Sequence, residues 1–118
     1  MNVSGWEDAI FGIDNNIDLL DELADLDASS IVAEVSDLVT IATKQGAEGD
    51  EQDNALLAAT LLAIWAGAPF SDSELAQDYP FILSLRGKGD EDTREAAAAL
   101  LEAVESDEDL DPYIEALS

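Results

Sequence analysis

Asn54 to Gly67, reading NALLAATLLAIWAG, is the one long stretch of this chain without a charge. Everything else has to be arranged around it. Ala and Leu dominate it, and both are strong helix formers. Leu56, Leu57, Leu61, Leu62, Ile64 and Trp65 point in nearly all directions around a helical axis, and a helix apolar all round is a buried helix. The stretch is too short to span a bilayer, which takes about 20 apolar residues. Flanking Asp50 and Asp53 would also be costly there. Asp50 or Asp53 is the expected cap at its start, with Glu51 placing negative charge near the positive end of the helix dipole. Gly67 fits the position just past the end, and Pro69 then forbids continuation. Burying the six large side chains would contribute at most about 10–15 kcal/mol, and only if other helices cover every face.

Those other helices can be read on both sides. Asp14 is the expected cap of a helix from about Asn15 to Leu26, with Ile17, Leu20, Leu23 and Ala24 inward and Leu19 and Leu26 widening that face. Ser29 or Ser30 should cap a second helix reaching Lys44, where Ile31, Val32, Val35, Leu38, Val39 and Ala42 recur at helical spacing. Gln45-Gly46 ends it. Downstream, Ser71-Asp72-Ser73-Glu74 is a capping box for a short helix that Tyr79-Pro80 interrupts. Phe81 to Leu85 is a further short turn. Arg86-Gly87-Lys88-Gly89 reads as a flexible loop pairing locally with Asp90, Glu91 and Asp92. It lacks the phosphate-loop pattern and any preceding strand. Asp90 or Asp92 caps a helix to about Glu105, with Ala96, Ala97, Leu100, Leu101 and Val104 as its stripe and Asp92 and Glu95 as a reciprocal cap. An acidic linker, Ser106 to Asp111, precedes a last short helix, Pro112 to Leu117. At the other end, Ser4 and Glu7 make a short capping box, and Trp6, Ile10, Phe11 and Ile13 form an apolar cluster that folds onto the core.

No strand alternation and no repeat period is evident. The expectation is one all-α domain over residues 1–118, a compact orthogonal or up-down bundle of about four to six helices around the central apolar helix, residues 54–66. A chain of 118 residues can bury a real core without staples.

Charge narrows the function classes. The chain has 28 acidic and four basic residues, a net charge of −24. That argues against direct binding to nucleic acid or to anionic membrane, which need Lys and Arg against phosphate. It permits a basic protein partner, divalent cations, or a solvated acidic surface. The hydrophobic content of 47% is periodic, so disorder is not the explanation. There is no Cys, which excludes disulfides and thiolate metal sites, and no His, which removes the commonest general base and zinc ligand. Met1-Asn2 followed by Glu7 and Asp8 is not a signal peptide, and a cytoplasmic protein is the simplest reading.

The first twenty residues carry a frame of Trp6, Phe11, Asp14 and Asp18, followed by Leu19-Leu20-Asp21-Glu22-Leu23. This frame resembles a bacterial family catalogued as domain of unknown function 4259. Its members typically open with Trp-Gly-x-Gly-x-Phe, an acidic segment, and a helix beginning Ala-x-Asp. Glu7 and Ala9 stand where the two glycines would be. The Ala-rich middle, with Ala58-Ala59 and terminal Gly67, is similar to the family's middle segment. The resemblance implies a small all-α bacterial protein and no established activity.

Acid pairs are too common here for their presence to mark a site. Asp107-x-Asp109-x-Asp111 starts like a calcium loop, but Pro112 stands where Gly is required and Ser118 where Glu should be. No catalytic residue, cofactor-binding residue or metal ligand is assigned, and no cofactor is expected. Enzyme activity, as a carboxylate or metal hydrolase, is the least favoured reading. The favoured one is a protein-interaction module whose acidic face, Asp14, Asp18, Asp21, Glu22 and Asp25, engages a basic partner, in its sharper form by mimicking nucleic-acid charge. The alternative is a salt-adapted or divalent-cation-binding domain with no specific partner. Either suits a monomer or a homodimer. An uncovered Trp65 or Leu56/Ala63 side would favour the dimer.

Overall fold

A computed structural model describes residues 10–46, 48–68, 70, 73–104 and 110–117. The Ser4/Glu7 capping box, Trp6, Pro69, the first half of the Ser71–Glu74 box and the linker residues 106–109 lie outside them. The described residues form seven helices and no strand: α1 (Asp14–Ala24), α2 (Ala28–Gln45), α3 (Asp50–Trp65), α4 (Ser73–Asp78), α5 (Phe81–Ser84), α6 (Glu91–Glu102) and α7 (Asp111–Leu117). The all-α fold read from the periodicity is the fold observed. The apolar stretch is its axis, since α3 packs against α1, α2, α5, α6 and α7.

From Leu57 to Trp65 every side chain of α3 is buried. Ala58, Ala59 and Ala63 let neighbouring helices approach closely, while the Leu and Ile side chains fill the gaps between them. Thr60 is the one polar residue in that run, and its hydroxyl donates to the Leu56 carbonyl at 2.8 Å. This is how a helix centre takes a hydroxyl without stranding it. Trp65 and Ala63 are buried and Leu56 is half-buried, so the helix is not left bare on those sides. The three principal extents, 33, 29 and 27 Å, are nearly equal, as they should be when short helices wrap one central helix on several sides.

The start of α3 differs from expectation. Neither Asp50 nor Asp53 caps it. Gly49 occupies the cap position, at φ 59 and ψ −129, and its carbonyl accepts from the Asp53 N–H at 3.2 Å. A positive φ is accessible to Gly and strained for other residues, so the glycine, not the acid, sets where the helix begins. The end is as read. Gly67 has φ 121, its N–H donates to the Ile64 carbonyl at 3.0 Å, and the Ala68 N–H donates to the Ala63 carbonyl at 2.9 Å. These two bonds are the Schellman closure that a left-handed Gly makes possible.

One other cap also sits elsewhere, and one is an acid expected to cap. The Asp27 carboxylate, not Ser29 or Ser30, caps α2 by accepting from the Ser30 N–H at 2.9 Å. On α6 the cap is Asp90, accepting from the Thr93 N–H at 2.8 Å, and Asp92 lies within the first turn. Both carboxyls are held below their ordinary range by hydrogen bonds that favour the charged form, Asp27 by the Ser30 amide and then its side chain, Asp90 by the Thr93 side chain and then its amide. In α2 the inward residues are Ile31, Val35, Val39 and Ala42, with Val32 and Leu38 half-buried beside them. That is the stripe the periodicity gave.

Arg86 to Gly89 is not a free loop. The Gly87 N–H donates to the Trp65 carbonyl at 2.7 Å, and Arg86 Nη2 donates to the Ala68 carbonyl at 3.1 Å. Trp65 Nε1 in turn donates to the Phe81 carbonyl at 3.3 Å. The segment from Phe81 to Gly89 therefore clasps the C-terminal end of α3. It puts a guanidinium near the negative end of that helix, where a cation is favoured. Gly89, at φ 101, lies so close to α3 that a Cβ there would meet Leu62 Cδ2 at 3.1 Å. Sequence proximity suggested that Arg86 pairs with Asp90 to Asp92. The packing turns it to a backbone carbonyl instead, while Arg94 stays beside Asp90.

Candidate functional site

The acidic face predicted from the sequence lies on α1 and the residue after it. Asp14 is not the cap. That position belongs to Ile13, which makes no side-chain bond to the helix. Asp14 is the first helical residue and contributes as a charge near the positive end of the dipole. At about 100° per residue, Asp14, Asp18, Asp21, Glu22 and Asp25 fall within an arc of roughly 100°. All five are exposed. The structure thus brings all five together on one side of one helix.

The opposite side of α1 is where the structure departs from the sequence reading. The buried residues are Asn16, Leu19, Leu20 and Leu23. Ile17, Ala24 and Leu26, expected inward, are exposed. The helix is rotated because an asparagine occupies the inward row. Asn16 is fully buried, and its Nδ2 donates to the Ile10 carbonyl at 2.8 Å. That bond ties Ile10 and Phe11, both buried, to α1 and satisfies the carbonyl they would otherwise strand. A pattern that scores Asn as polar places it outside. The only signal for the inward row is that 16, 19, 20 and 23 are spaced as one helical face, opposite the acids.

One acid of the arc is held from outside its own helix. The Tyr79 hydroxyl donates to Asp21 Oδ1 at 2.7 Å, across 58 residues of sequence. Tyr79 is half-buried and meets Phe81 edge-on, with ring centroids 6.1 Å apart. Its phenol is pushed up to about 12, first by the hydrogen bond to Asp21, then by desolvation and by the charges of Asp21 and Asp78. The bond fixes one oxygen of the Asp21 carboxylate. No spacing rule could have found Tyr79, since the pairing exists only once the α4–α5 connection folds against α1.

What the arrangement can do chemically follows from its exposure. Among the described residues no Asp or Glu is buried. Among the described residues there is also no group of three or more acids placed to hold one metal ion. Elsewhere the surface has shallow hollows. One of about 470 Å³ is lined by Glu91, Arg94, Glu95 and Leu117, so its carboxylates flank a guanidinium. A small cleft of about 70 Å³ between α2, α3 and α6 is lined by Ala, Leu and Val with Gln52 as its polar member. Neither brings a nucleophile and a base together. No helix among the described residues is long and apolar enough to cross a membrane.

No curated protein and no solved structure matches the chain. The resemblance read from Trp6, Phe11, Asp14, Asp18 and the Ala-rich middle extends much further than those residues. The model of the family described as Domain of unknown function (DUF4259) matches residues 4–116 of the 118, and the chain belongs to that family.

Proposed function

We propose that the protein is a non-enzymatic interaction module that engages a basic protein through the acidic arc of α1. The observation that carries this reading is the exposure of Asp14, Asp18, Asp21, Glu22 and Asp25 on one side of a helix whose other side is anchored in the core. An anchored helix presents charge at fixed positions, which is what electrostatic complementarity requires. The four basic residues of the chain, Lys44, Arg86, Lys88 and Arg94, are all on other elements, so none neutralises the arc from within α1. In the sharper form of the proposal, the row of carboxylates occupies the phosphate-binding surface of a nucleic-acid-binding protein. A bacterial cytoplasm is the proposed setting.

The test compares the wild type with a variant carrying Asp14→Asn, Asp18→Asn, Glu22→Gln and Asp25→Asn. Asp21 is kept as the partner of Tyr79. Binding of an oligo-arginine peptide and retention of basic proteins from a bacterial lysate are measured at low and moderate salt. The wild type should bind and lose affinity steeply with salt, and the variant should bind much more weakly at low salt. Equal binding by both proteins, or none by the wild type at low salt, overturns the proposal.

A further inference from the structure

We draw no further inference here: the strongest candidate, the groove of about 320 Å³ lined by Ala28, Ser29, Val32 and Lys88 between the start of α2 and the loop after α5, is an apolar face with one lysine at its edge, and nothing in the structure shows what covers it.

Discussion

The central helix α3 and the acidic helix α1 solve opposite problems. In α3 nine consecutive side chains, Leu57 to Trp65, are buried, and its end is fixed by bonds from Phe81 to Gly89. In α1 one row is buried and the other holds five exposed carboxylates. Asp14/Asp18, Asp18/Glu22 and Asp21/Asp25 are like-charge pairs one turn apart. Stability therefore resides in α3, and α1 is carried by its apolar row against its own electrostatics. A helix kept in that condition has a surface that folding does not require, which is why the proposed interface is placed there.

Truncation should break the comparison most sharply. Leu61→Ala leaves a cavity in the axis of the fold and should cost about 2–5 kcal/mol in chemical denaturation. Glu22→Gln, on the outer side of α1, should stay within about 0.5 kcal/mol. Similar losses from the two would mean that α1 is not the passively carried element described here.

A smaller effect probes the clasp on α3. Gly89→Ala places a Cβ against Leu62 at a positive φ and should destabilise by about 1–3 kcal/mol. A neutral result would show that the loop yields and that the end of α3 is held less firmly than its hydrogen bonds indicate.

The electrostatic strain on α1 is the next test. Asp18→Asn with Asp25→Asn removes all three like-charge pairs, each worth about 0.2–0.5 kcal/mol at low ionic strength. The melting temperature should rise at low salt, and the gain should shrink as sodium chloride screens the wild type. Calcium chloride at matched ionic strength should give the same curve. A calcium-specific gain in the wild type would favour a cation-binding domain over the interaction module.

The smallest effect concerns the bond that joins the two regions' surroundings. Tyr79 is raised from 10.0 to about 12 in the folded protein. The folded state thus holds its proton more tightly, and the contribution is present in full below pH 10. It is lost as pH rises through about 12. Stability measured from pH 9 upward should decline more in the wild type than in Tyr79→Phe, and Asp21→Asn should remove the same difference. An unchanged alkaline limb in both variants would show that the Tyr79–Asp21 bond is not maintained in solution.

Much of this architecture was legible because it depends on periodicity and local chemistry. The apolar run of α3, the Gly67 stop, the Ile31–Val35–Val39–Ala42 stripe and the clustering of five acids on α1 are properties of residue spacing alone. The family frame was also readable, because it rests on residue identities at fixed intervals. The caps were read less well. Asp27, Ser29 and Ser30 are all competent at a helix start, as are Asp50 and Asp53. The choice fell to backbone conformation, with Gly49 adopting a φ that the acids would find strained.

What only the tertiary structure decided is which contacts form between distant segments. Asn16 points inward because the Ile10 carbonyl awaits it there. Arg86 leaves its neighbouring acids for the Ala68 carbonyl at the end of α3. Tyr79 reaches Asp21 across 58 residues. Spacing determines which side chains share a face, since that is set by the helical repeat. It does not determine which polar groups meet, because those pairings exist only after the apolar faces have packed.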